Sequence, residues 1–437
     1  PTRCGPTGEG TTGLMRRLYT LLWVLALPVA LLRLLWRSRK APAYRRRWAE
    51  RLGRFDPPAR TGGVWVHAVS VGETQAAQPL VKRLLAEPRA QPVTVTTTTP
   101  TGSVRVGELF GDQVFHVYLP FDLPWAVDGF LDRVRPRLLI MLETEIWPNL
   151  LASCAARGIP TLLANGRLSA RSARRYARLD GFARQTFRAL GAVAAQAETD
   201  AGRFVALGVP ADRVRVTGSM KFDMAIRGSV KEQAEVLRRD WGTDRPVWVA
   251  ASTHEGEEEA VIDAHRRLLR RLPEALLVLV PRHPERFDRA AQLVRRAGLP
   301  MARRTDRAAV TPGTAVFLGD TMGELPVFLG AADAAFVGGS LVDIGGHNVL
   351  EPAAFGVPVV FGPHMHNFAA ISEMLLAADA AVQVRDAQAL ADVVLRWLGD
   401  ASERTRIGEN GRRVVEANRG ALDRTWQMVV ELLREGR

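Results

Sequence analysis

From about residue 44 to the C-terminus, short apolar runs alternate with amphipathic stretches of helical period, and few architectures accommodate that pattern. Apolar runs at 64–68, 93–97, 114–117, 138–142, 160–164, 192–196 and 213–216 make one series. Runs at 247–251, 276–280, 315–318, 334–337 and 357–361 make a second. Helical stretches separate them (74–86 and 169–190, then 255–272, 284–297 and 367–377), a charged helix at 230–239 lies between the series, and the tail from 387 is helical by period. Strands alternating with helices pair in parallel, so the chain reads as α/β, with two doubly wound, Rossmann-like domains of about 180–200 residues facing across a cleft. No short repeat suggests a solenoid. Ligands of such folds sit at strand carboxyl ends, so the functional side chains are expected just after strands.

The net charge of +13 invites a nucleic-acid reading. Its distribution removes that reading. Residues 1–60 hold thirteen basic side chains against Glu9, Glu50 and Asp56, a net of +10, so the rest of the chain carries only +3. The basic side chains flank an uncharged run from Leu18 to Leu32, with Arg16 and Arg17 before it and Arg33, Arg37, Arg39, Lys40 and Arg45–Arg46–Arg47 after it. The run resembles the apolar core of a signal peptide, but no small-residue cleavage site follows it. A basic juxtamembrane cluster is retained at anionic cytoplasmic lipid by about 1 kcal/mol per side chain. An uncleaved anchor over 15–43 that keeps the body on the cytoplasmic face is therefore expected, spanning or interfacial. Residues 1–14 are polar and turn-rich, and read as a disordered, processed or misassigned extension ahead of Met15. Cys4 and Cys154 cannot make a disulfide framework, and no C-x-x-C is present to hold zinc.

Several motifs fall where the frame places a site. HAVSVGE (67–73) ends the first strand, and Glu73 is either a helix-start glutamate or a general base whose pKa partial burial would raise. ETEIWPN (143–149) puts Glu143 and Glu145 after a buried strand, as caps, as a metal pair or as a charged site. Lys221 in GSMKFD is one of four lysines among fifty-five arginines, which hints that a compact ammonium is wanted there. Arg282 and His283 in PRHPERF follow a strand, where the arginine suits a phosphate or carboxylate and the histidine before Pro284 suits a turn cap. GDTMGE (319–324) and the loop with Gly338, Gly339, Gly345 and Gly346 precede helices. Their N–H groups would receive an anion, and Glu351 one turn on would take ribose hydroxyls; the alternative, a purely structural glycine-rich turn, is the less favoured.

Together with STHEGEE (252–258) and GGHNVLEP (345–352), these motifs occur in the order found in the transferases of 3-deoxy-D-manno-octulosonic acid (Kdo), and the chain resembles that family from Tyr44 onward. The family more often has Asn where Ser219 stands and Pro where Val349 stands, and neither position supplies an acid, base or charge. The resemblance implies a GT-B type glycosyltransferase with an acceptor domain (44–222) and a CMP-Kdo-binding domain (223–437). It implies inverting transfer of Kdo from CMP-Kdo to a glucosamine hydroxyl of lipid A precursor, with no cofactor and no metal, in keeping with the lack of any D-x-D. On this reading Glu73 is the general base, and Glu143 and Lys221 stabilise the transition state. Pro281, Arg282, His283, Met322, Gly323, Glu324, Asn348, Val349, Leu350 and Glu351 contact CMP. The partners expected are the donor, the lipid acceptor and an anionic membrane, not nucleic acid. The competing readings are a nucleotide-sugar epimerase or hydrolase of the same plan, and a non-catalytic nucleotide-binding scaffold at the membrane.

Overall fold

The computed structural model of the protein describes residues 9–39, 41–87, 91–223, 226–306 and 309–435. Two compact units emerge, one formed by 1–223 with 419–437 and the other by 224–418. The C-terminal stretch departs from the expected 223–437 domain, because it belongs with the first unit. Its last helix, Ala421–Glu435, packs Trp426, Met428, Val429 and Leu432 into the core of the first unit.

The first unit holds seven parallel strands: β1 (Val64–His67), β2 (Val93–Thr97), β3 (Phe115–Tyr118), β4 (Leu138–Leu142), β5 (Thr161–Gly166), β6 (Ala192–Ala195) and β7 (Val214–Val216). Their order is β3-β2-β1-β4-β5-β6-β7. β4 reads LLIML with every residue buried, as a parallel strand covered on both faces requires. Alternation sorts β1, with Val64 and Val66 entering one core and Trp65 the core on the other face.

The second unit holds β8 (Val247–Thr253), β9 (Leu276–Pro281), β10 (Met301–Arg303), β11 (Val316–Leu318), β12 (Ala334–Val337), β13 (Val359–Phe361) and β14 (Ala381–Gln383), all parallel, in the order β10-β11-β9-β8-β12-β13-β14. Trp248 and Ala250 face one core while Val247, Val249 and Ala251 face the other. The three-residue strands β10 and β14, not foreseen in the sequence, lie at the sheet edges. The stretch 169–190 is two helices, Ala170–Ala177 and Asp180–Arg188.

A 29-residue helix, Glu9–Arg37, opens the described chain, so residues 9–14 are helical where an irregular extension was expected; residues 1–8 and Lys40 lie outside the described residues. Over Gly13–Arg37 it is long and apolar enough to cross a membrane, its most apolar 18-residue window having a mean hydropathy of 2.1. Leu21, Leu22, Val24, Leu25, Val29 and Leu32 are exposed. The opposite face is tied to the first unit by polar contacts. Tyr19 Oη donates to Asp122 Oδ2 at 2.8 Å, Trp23 Nε1 donates to Tyr19 Oη at 2.8 Å, and Asn149 Nδ2 donates to Thr20 Oγ1 at 3.1 Å. Buried Asp122 also accepts the Asn149 and Leu150 N–H groups, which open the helix Pro148–Ala156.

Candidate active site

In the first unit the strand order reverses between β1 and β4, and the chain leaves both parallel strands at the same, carboxyl end of the sheet. After His67 the chain turns through Ser70 into the helix Val71–Ala86. Ser70 Oγ accepts the Glu73 N–H at 3.4 Å and donates to Glu73 Oε1 at 3.1 Å, while the Val69 N–H donates to Glu73 Oε2 at 2.8 Å. This reciprocal cap is the structural role weighed for Glu73, and it fixes the carboxylate at the strand end. Burial nonetheless pushes the Glu73 carboxyl up to about 7; the Val69 N–H works against that shift, the Glu143 and Glu145 charges add to it, and the Ser70 hydroxyl opposes it.

Glu143 follows β4 with φ 59°, a left-handed conformation that costs a non-glycine residue about 1–3 kcal/mol and persists where its surroundings demand it. Its N–H donates to the Ala164 carbonyl at 3.0 Å, and its Oε1 lies 3.5 Å from Lys221 Nζ. The ammonium singled out by composition is therefore the partner of the carboxylate singled out by position. Two residues on, Glu145 Oε2 accepts the Trp147 Nε1–H at 2.8 Å. Among the described residues no three His, Cys, Asp or Glu side chains are grouped to hold a metal ion. The short turn Met220–Phe222 that carries Lys221 is held by Asn165, whose Oδ1 accepts the Met220 N–H at 3.1 Å. Asn165 is fully buried at φ 55°, a position no motif had flagged.

In the second unit the reversal falls between β8 and β12. His254, after β8, and His347, in the loop after β12, lie with Nε2 atoms 2.7 Å apart and rings stacked at 5.0 Å, while His283 meets His254 edge-on at 5.4 Å. Burial, then the neighbouring His254 and Arg282, push His347 down to about 3, and burial lowers His254, so the pair is neutral at pH 7. His254 and His347 had no assigned role in the sequence.

The glycine loop corrects an expectation. Its N–H groups do not face open space. The buried Glu257 carboxylate accepts from Gly339 N at 2.7 Å, from Ser340 N and Leu341 N at 2.9 Å each, and from His254 N at 3.0 Å. A Cβ on Gly338 would stand 2.6 Å from the Ser252 carbonyl, and one on Gly346 would stand 2.3 Å from Met365 Sδ. These glycines serve the loop's own packing, and STHEGEE supplies the internal anion. Its next residue, Glu258, accepts from Arg286 Nε at 3.0 Å and from Nη2 at 2.8 Å.

Of the residues expected at CMP, Arg282 is half-buried, His283 exposed, and Met322 and Gly323 exposed, with Gly323 at φ 86°. The Arg304 guanidinium holds the Glu324 carboxyl below the usual range. Asn348 Nδ2 donates to Glu351 Oε1 at 3.1 Å, and burial raises the Glu351 carboxyl. Pro281, Val349 and Leu350 are buried, so what they can offer a ligand is main chain.

Residues 46–224 match the family described as 3-Deoxy-D-manno-octulosonic-acid transferase (kdotransferase), and residues 304–414 match the family described as Glycosyl transferases group 1. The chain is 43% identical to the 3-deoxy-D-manno-octulosonic acid transferase of Haemophilus influenzae over 94% of its length and 96% of that protein. It is 41% identical to the enzyme of the same name from Bordetella pertussis over 86% of its length and 88% of that protein. The UDP-GlcNAc 2-epimerase from Neisseria meningitidis, solved with UDP-GlcNAc, is similar at a TM-score of 0.56, with 13% identity over 85% of this chain and 100% of that one. That last likeness is one of fold.

Proposed function

Because the chain belongs to the Kdo transferase family of glycosyltransferases, we propose that it transfers Kdo from CMP-Kdo to a glucosamine hydroxyl of lipid A precursor (lipid IVA), with inversion. The observation that carries this reading is Glu73, a carboxylate fixed at a strand end with its pKa pushed up to about 7, where a base both ionises near neutrality and accepts a proton readily. The acceptor hydroxyl gives its proton to Glu73 as its oxygen bonds to the anomeric carbon of Kdo. The bond from that carbon to the phosphate oxygen breaks on the opposite face, and CMP leaves with the electron pair. One displacement inverts the configuration. Lys221, beside Glu143, offsets negative charge at the reacting oxygen, and Arg282 serves the leaving phosphate.

His283, Met322, Gly323, Glu324, Asn348 and Glu351 line the nucleotide in this proposal, and the main chain at Pro281, Val349 and Leu350 supports them. The apolar helix at Gly13–Arg37 and its basic flanks hold the enzyme at the cytoplasmic face of the inner membrane, where a phosphorylated lipid acceptor resides. The test is incubation of the purified protein with freshly generated CMP-Kdo and lipid IVA, followed by mass spectrometry. Kdo-bearing lipid with free CMP is the expected product. Donor consumption that needs no lipid would instead support the epimerase or hydrolase reading.

A further inference from the structure

The helix Glu9–Arg37 presents two different rows along its length. Tyr19, Trp23, Leu27, Ala30 and Leu34, three or four residues apart, make a half-buried row. Its first residues are seated on the first unit. Besides their hydrogen bonds, Tyr19 meets the Phe182 ring at 5.6 Å and Trp23 meets the Phe121 ring at 5.9 Å. Leu18, Leu22, Leu25, Val29, Leu32 and Trp36, at the same spacing, make an outward row, each between 47% and 66% exposed. Arg17 and Arg33, both exposed, fall on the two flanks between these rows by helical rotation.

We propose that this helix does not cross the bilayer but lies flat in the headgroup boundary of the cytoplasmic leaflet, its outward row sunk among the acyl chains. This rests on the reading of the helix as the membrane anchor. Tyr19 and Trp23 stand about 9 and 15 Å along Gly13–Arg37, so a crossing helix would place both inside a hydrocarbon core of about 30 Å. Crossing would then either drag buried Asp122 into lipid or part it from Tyr19, leaving a hydroxyl and an indole N–H where no water replaces the lost partners. Lying flat keeps every one of these bonds and still buries the outward row. The arginine flanks select lipid over a second copy of the chain. Residues 1–60 carry a net charge of +10, which two such faces would bring together and anionic headgroups would attract. Trp36 closes the row with a ring type favoured at membrane–water interfaces. The seat also reaches the candidate site: Trp23 meets Trp147 at 6.3 Å, and the Trp147 indole donates to Glu145. A flat helix therefore holds the chain that follows β4 at the headgroup layer.

The experiment measures depth at three points of the outward row. A bimane label is attached in turn to Leu18→Cys, Leu25→Cys and Leu32→Cys in the full chain carrying Cys4→Ser, with Cys154 left in place because it is fully buried. The probe is a vesicle of phosphatidylethanolamine and phosphatidylglycerol whose acyl chains carry bromine either near the headgroup or near the chain end. A flat helix gives the same result at all three positions: strong quenching from bromine near the headgroup and weak quenching from bromine at the chain end. Deepest quenching at Leu25→Cys, with Leu18→Cys and Leu32→Cys shallow, shows a crossing helix and overturns the inference while leaving the anchor intact. Labels shielded from bromine in a dimeric protein overturn it in favour of a second copy on this face. Failure of the wild-type chain to sediment with the vesicles overturns the anchor reading beneath it.

Discussion

Glu73 does two things that usually exclude each other. Its carboxylate closes a helix cap with Ser70 and Val69, yet burial and two neighbouring charges keep it near neutrality in pKa. Because its folded pKa lies above the ordinary carboxylate value, the native state binds more protons than the unfolded chain, and ionisation of Glu73 costs stability as pH rises from about 4.5 towards 7. Glu73→Gln keeps acceptor and donor groups for the cap and has no charge to bury. Its melting temperature is therefore expected to match or exceed wild type at pH 8 and to lose that advantage at pH 5. In the active enzyme, transfer should rise with pH through about 7 as the base ionises. Lys221 gives a second prediction: Lys221→Gln lowers kcat by roughly 10²–10³, as loss of one oriented charge does. Lys221→Arg recovers little of it, since a planar fork does not replace a point charge 3.5 Å from Glu143.

Loops and helices show why some of this was legible and some was not. The strands were readable because parallel strands buried on both faces are nearly pure apolar text, as in LLIML. Edge strands such as Met301–Arg303 are too short to carry a period. The acidic run in STHEGEE reads as a solvated helix start, yet Glu257 and Glu258 are fully buried, because their partners are backbone N–H groups about eighty residues on and Arg286. Replacing Glu257 by Ala leaves four N–H groups without their acceptor and is expected to destabilise the second unit by about 3 kcal/mol or more. The readout is faster amide exchange in β8 and β12 with β1 and β4 unchanged. The helix Glu9–Arg37 shows how an apolar element keeps a fixed seat. Asp122 takes the Tyr19 hydroxyl and two N–H groups of the helix Pro148–Ala156, next to Trp147, whose ring also meets Trp23 at 6.3 Å.

At the scale of the chain, sequence order and spatial order part company at the end. Residues 419–437 return to the first unit, where the Gly420 and Leu422 N–H groups both donate to Asp223, each at 2.6 Å. Periodicity marks 421–435 as a helix but says nothing of its partner, which is set by tertiary packing of Trp426 and Val429. Truncation before residue 419 should therefore strip exchange protection from the sheet of β1–β7 while sparing that of β8–β14. The measurement that bears most directly on the whole account compares wild type with Glu73→Gln, using CMP-Kdo and lipid IVA for turnover and CMP alone for binding. The account predicts Kdo-bearing lipid from wild type, and a variant that binds CMP as wild type does while transfer falls by about 10²–10⁴. Undiminished transfer by Glu73→Gln, or wild-type protein that binds CMP and yields no Kdo-bearing lipid, would contradict it.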